Sequence, residues 1–181
     1  NTLAHVKRAY AHDAAQGARL LDALIAYLRA AMPKMRETSS TVRQELDLVR
    51  AYLEIVQLRL GDRLTFAIEL PDDNVAHARM PAMLVLPLVD HAIAESFGDW
   101  QATGSIRVRV TIANERIRLA LSQTGSLADD DERILAIRER LTALYAGDAS
   151  LAMQRVEPNR TDAVLEIPYR RTPSYDASRT Q

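Results

Sequence analysis

Residues 45–70 read ELDLVRAYLEIVQLRLGDRLTFAIEL. Over Leu46, Val49, Leu53, Val56 and Leu60 the apolar side chains recur at alternating steps of three and four, the spacing of a helix with a coiled-coil-like seam. Beyond Gly61-Asp62 the period drops to two: Leu64, Phe66, Ile68 and Leu70 occupy every second position until Pro71-Asp72-Asp73-Asn74 stops the strand. A helix that hands over directly to a strand predicts an α+β chain, and the rest of the sequence is read outward from that junction.

Upstream, Leu3, Val6, Tyr10, Ala14, Leu21, Leu24 and Leu28 recur at helical intervals up to Pro33. Glu37-Thr38-Ser39-Ser40 breaks the pattern, and Thr41 is placed to cap the next helix. Two helices joined by a short polar turn form an antiparallel hairpin. The Leu46, Val49, Leu53 and Val56 seam then has two uses, packing on its own domain or pairing with a second copy as a four-helix bundle, and the pattern leaves both open.

Downstream, a helix is expected over Pro81–Phe97, followed by a hairpin. Its strands carry Ile106, Val108, Val110 and Ile112, then Ile117, Leu119 and Leu121, with the turn at Asn114-Glu115. A further helix is expected over Asp131–Tyr145, ended by Gly147, with last strands over Ser150–Val156 and Ala163–Ile167. Hairpins with helices on one face give a sandwich with a mixed, mostly antiparallel sheet. The expected division is a helical hairpin over residues 1–60, a sandwich domain over 61–170 and a polar tail over 171–181.

Composition narrows the function classes. Lys plus Arg total 23 against 24 for Asp plus Glu, so no global field attracts nucleic acid, and no direct nucleic-acid partner is expected. Arg107, Arg109, Arg116 and Arg118 fall on one polar strand face, but no aromatic residues interleave them to stack bases. The absence of cysteine removes thiolate catalysis and cysteine-ligated zinc and suits a reducing cytoplasm. Trp100 reads as a loop anchor, Met80 and Met83 as core filler, and His77 has no neighbouring ligand pattern. The longest apolar run, Met80–Ala94, is interrupted by Pro87, Asp90 and His91 and falls short of the roughly 20 residues of a bilayer span.

Two longer strings carry a resemblance. One is Glu45-Leu46-x-x-x-x-Ala51-Tyr52-Leu53-Glu54-Ile55-x-x-x-Arg59; the other is Met80-Pro81-x-Met83-Leu84-x-x-Pro87-Leu88-Val89-Asp90-His91-Ala92-Ile93. Together with Ile137-Arg138-Glu139-Arg140-Leu141-x-x-Leu144-Tyr145 they resemble the LytS/AlgZ-type sensor histidine kinases, across nearly the whole chain. That resemblance implies a Bergerat-type ATP-binding sandwich behind a dimerising hairpin, and it tips the seam toward a homodimer interface. It also implies ATP and magnesium as cofactors, autophosphorylation of a histidine, and transfer to a response regulator, of the LytTR type in such relatives. The cytoplasmic portion would belong to an inner-membrane protein, reached through a region before Asn1. The acceptor histidine is expected there too, because Asn1-Thr2-Leu3 resembles the end of the acceptor motif, whereas His5 and His12 read as solvated helix residues.

Carried over position by position, the resemblance puts Asp90 at the acceptor-activating carboxylate and His91 at the metal-holding asparagine. Gln123 falls at the aspartate that reads the adenine amino group, and Gly125 at the glycine two residues on. The departures share a direction. Aspartate is one methylene shorter than glutamate, imidazole is a poor ligand for a hard cation, and Ala94 and Glu95 replace cationic positions. The glycine box is replaced by Asp131-Glu132-Arg133-Ile134-Leu135-Ala136, with Asp129 and Asp130 before it. The expectation is therefore a sensor kinase with impaired nucleotide binding; the alternative is a degenerate kinase acting as a dimeric scaffold on a response regulator.

Overall fold

The computed structural model describes residues 13–69, 72–97, 102–126 and 128–169, together with Ala4. The expected start of the first helix, Trp100 and the polar tail fall outside the described residues. Helix α1 (Ala14–Lys34) opens at Asp13, whose carboxylate accepts from the Ala15 and Gln16 N–H groups. Pro33 sits at its last turn, so the helix ends one residue beyond the expected stop. Helix α2 (Val42–Leu60) begins at the expected Thr41 cap, with a reciprocal bond from Gln44, and stops at Gly61, whose φ of 61° favours glycine.

The polar link between these helices is more than a turn. Ser39–Thr41 forms strand β1, which pairs antiparallel with strand β3 (Arg79–Pro81). Sequence periodicity cannot find such three-residue strands, because they are too short to show alternation. Pro81 therefore ends a strand rather than starting a helix. The next helix, α4 (Val85–Ser96), begins four residues later than expected. Pro87 lies in its first turn, where a missing N–H costs nothing. A single turn, α3 (Asp73–Ala76), lies between β2 (Leu64–Glu69) and β3.

The main sheet has the order β2-β4-β5-β7-β6, made from β2 (Leu64–Glu69), β4 (Gly104–Ala113), β5 (Arg116–Thr124), β6 (Ser150–Glu157) and β7 (Arg160–Pro168). The β2/β4 pair is parallel and the other three are antiparallel, as expected of a mixed, mostly antiparallel sheet. Helix α5 (Glu132–Tyr145) is capped by Asp131 and ends in left-handed Ala146 and Gly147. Ile106, Val108 and Val110 point into the core while Ser105, Arg107 and Arg109 stay exposed, so helices cover one face and charge the other. The arginines there are paired: Arg107 and Arg109 with Glu69, Arg118 with Glu166.

The core does not divide at residue 60. Leu46, Val49, Leu53 and Val56 belong to one hydrophobic cluster with Leu84, Val85, Leu88 and Val89 of α4 and the inner face of the sheet. Their exposures are 1, 0, 0 and 2%, which leaves no surface for a partner subunit. The seam assigned to a dimer is thus internal. Helix α1 instead packs on the opposite side of α2, through Leu20 with Ile55 and Ala31 with Leu48.

Candidate functional site

Three residues of the signature strings cross-link the helices rather than face a ligand. Glu45 is 1% exposed on the inner side of α2, and its carboxylate accepts from the N–H groups of Met83 (2.9 Å), Leu84 (3.0 Å) and Val85 (3.3 Å). Helix α4 has no side-chain cap of its own, so Glu45 provides one from across the core. From the other side Arg140 of α5 donates to the carbonyls of Ala82 (2.7 Å) and Met83 (3.2 Å). Met83 has a φ of 57°, which a non-glycine residue adopts only when its surroundings hold it there.

That clamp sets where α4 presents Asp90 and His91. Asp90 lies at the helix surface, its side chain 49% exposed. Its Oδ1 accepts from the Tyr52 hydroxyl of α2 at 2.5 Å, and its Oδ2 lies 3.4 Å from an Arg133 guanidinium nitrogen of α5. Burial, with the Asp90 bond next, pushes the Tyr52 phenol well above its ordinary value, so the hydroxyl keeps its proton and donates.

His91 is fully buried. Its Nε2 lies 3.0 Å from the Ala128 carbonyl, which can only accept, so Nε2 carries the ring proton. Nδ1 faces Asp131 Oδ1 at 3.5 Å without a hydrogen bond. Asp131 is itself held by Arg133, through the guanidinium and the backbone N–H at 2.9 Å each, and these hold its carboxyl down at about 2. The segment after β5 thus docks onto α4 through Ala128, Asp131 and Arg133.

Gln123 and Gly125 stand at the end of β5, one strand from Thr161 of β7. The Gln123 amide nitrogen donates to the Ser126 carbonyl at 2.7 Å, which fixes the amide and leaves Oε1 buried without a partner among the described residues. Gly125 has a φ of 98° with open space where a side chain would project, so glycine is needed for its backbone angle and not for room. Its N–H bonds Asn159 and its carbonyl accepts from Thr161 Oγ1, each at 2.9 Å.

The arrangement therefore brings Asp90 and His91 together with the post-β5 segment. An orphaned buried acceptor at the position expected to read an amino group is a donor-seeking site, and it fits an adenine base. The metal position does not fit magnesium, because His91 presents one buried nitrogen beside Asp131. Among the described residues, no group of three or more histidine, aspartate or glutamate side chains is placed to hold a metal. In the acidic run that stands in place of the glycine box, Asp129 is paired with Arg138 and Asp131 with Arg133.

Sequence reasoning assigned no role to Glu45, Tyr52, Arg133, Arg140 or Thr161. A signal existed for the first two. Val42, Glu45, Val49, Tyr52 and Val56 follow steps of three and four, so a carboxylate and a phenol sit on an otherwise apolar helix face.

Known proteins share the sequence pattern and the fold. The histidine kinase family model matches residues 1–64. The sensor histidine kinase YpdA of Escherichia coli is 28% identical over 169 residues, and LytS of Enterococcus faecalis is 25% identical over 187. The catalytic domain of histidine kinase ThkA superposes with a TM-score of 0.57 at 14% identity, covering 72% of this chain and 95% of that domain. The chain is similar to the LytS-type sensor histidine kinases in sequence and to a histidine kinase catalytic domain in fold. The matches cover 86% and 93% of this chain but only 29% and 31% of YpdA and LytS, so it spans about three tenths of their length. A structure of histidine kinase ThkA in complex with the response regulator protein TrrA covers 86% of this chain at a TM-score of 0.53 and 15% identity.

Proposed function

We propose that this chain is the cytoplasmic nucleotide-handling portion of a two-component sensor kinase, one that binds ATP weakly, phosphorylates a histidine and serves a response regulator of the LytTR type. The buried Oε1 of Gln123, without a partner among the described residues, carries the reading: a fixed amide with a free acceptor is a costly feature unless a ligand donor completes it. Gln123 would take the adenine amino group, and Asp90, exposed on α4, would engage the phosphoryl acceptor. No role is assigned to His91 in holding metal. ATP supplies the transferable phosphoryl group when bound.

Calorimetric titration with a non-hydrolysable ATP analogue tests this. Binding in the micromolar to millimolar range is expected, with Gln123→Leu weakening it about tenfold, the equivalent of one hydrogen bond. Silence at millimolar nucleotide would sink the kinase reading. One observation favours the scaffold alternative: Ala128 and Arg133 already engage the side chains at the metal and carboxylate positions.

A homodimer is proposed through α1 rather than α2. Ile25, Leu28, Met32 and Met35 are exposed at steps of three and four, with Leu28 at 45% and Met32 at 62%. Leu28→Asp with Met32→Asp is expected to convert a light-scattering dimer to a monomer with an unchanged circular dichroism spectrum. A dimer surviving both changes would remove α1 from the interface.

A further inference from the structure

The two oxygens of Asp90 are held unequally, and the tighter partner comes from the helix that packs on α1. Tyr52 reaches Oδ1 at 2.5 Å, whereas Arg133 stands 3.4 Å from Oδ2. The Tyr52 ring is half-buried and tilted against Tyr27 of α1, with centroids 6.2 Å apart. A continuous chain of contacts therefore runs from α1 through Tyr27 and Tyr52 to Asp90. Aspartate also has a short arm, and a carboxylate on the surface of a helix is free to change rotamer unless something outside that helix fixes it.

We propose that Tyr52 is a positioning residue: its hydroxyl anchors Oδ1 of Asp90 so that Oδ2, once Arg133 moves away, points at the phosphoryl acceptor. The inference rests on the reading of Asp90 as the working carboxylate. Tyr52 touches no reacting atom and acts through Asp90 alone. The geometry of the two contacts assigns their parts: the short bond from a protonated phenol holds, and the long contact from a half-buried arginine, whose closer bonds go to Asp131, yields. Because Tyr52 also packs on Tyr27, a shift of α1 over α2 is transmitted to the carboxylate.

Tyr52→Phe retains the ring and deletes the hydroxyl, so the fold is expected to survive. In the full-length protein, autophosphorylation kcat should fall about tenfold, the rate equivalent of one hydrogen bond, while KM for ATP stays within about twofold. Asp90→Asn should abolish most of the rate, and the double variant should be no slower than Asp90→Asn alone, because Tyr52 has nothing left to position. A purely structural role would slow the double variant by the product of the two effects. Unchanged kcat in Tyr52→Phe, or multiplicative slowing in the double variant, overturns the positioning role while Asp90 keeps its own. Full activity in Asp90→Asn, or no phosphohistidine from the unaltered protein, overturns the carboxylate reading and this inference with it.

Discussion

Leu53→Asp is expected to unfold the chain rather than dissociate it. Leu53 is wholly buried among the side chains that join α2, α4 and the sheet. Replacing it removes a leucine's transfer energy and places a carboxylate in an apolar site with no cation assigned to it. Together these cost on the order of 5 kcal/mol, comparable with the whole stability of many domains. The measurement is a thermal melt followed by circular dichroism. The expected result is loss of the cooperative transition. A folded monomer would instead return the seam to the subunit interface. Leu28→Asp provides the contrast, since the same charge placed on the exposed α1 stripe should alter mass and leave the melt in place.

That contrast shows what the sequence could and could not convey. The elements were legible because their periods are long and clean: the alternation of Ile106–Ile112 and of Ile117–Leu121 gives the hairpin, and the three-four steps of α2 give its buried face. Periodicity states that a face is apolar but not what covers it. In α2 the cover is α4 and the sheet, and the surface that remains for a second subunit lies on α1, whose apolar residues occupy two faces. The parallel pairing of β2 with β4 and the β1/β3 ladder were invisible because long-range pairing leaves no local trace. At the site, Asp90, His91, Gln123 and Gly125 were legible as positions in a pattern. Their chemistry was not, because it depends on neighbours distant in sequence: Tyr52 lies 38 residues from Asp90, and Ala128 lies 37 from His91. His91 in particular reads as a ligand in the pattern and as a buried donor to a carbonyl in the structure.

Glu45→Ala is expected to cost about 3 kcal/mol and to misplace the site in the same step. The substitution leaves the N–H groups of Met83, Leu84 and Val85 facing a vacated buried position, and each loses a bond to a charged acceptor. It also frees one side of Met83, whose positive φ then keeps the Arg140 bond on its carbonyl. In urea, where a chain of this size loses roughly 2 kcal/mol of stability per molar, the midpoint should fall by about 1.5 M. Glu45→Gln keeps one oxygen able to accept and turns the other into a donor facing N–H groups. Its midpoint should lie between those of the alanine variant and the unaltered protein. If the carboxylate's work is capping, the ranking Glu above Gln above Ala appears in stability first. Any nucleotide affinity should follow the same ranking, because α4 carries Asp90 at a position set by the turn that Glu45 holds. Equal midpoints for all three would mean that water enters to satisfy the N–H groups, and that the clamp on α4 is maintained by Arg140 alone.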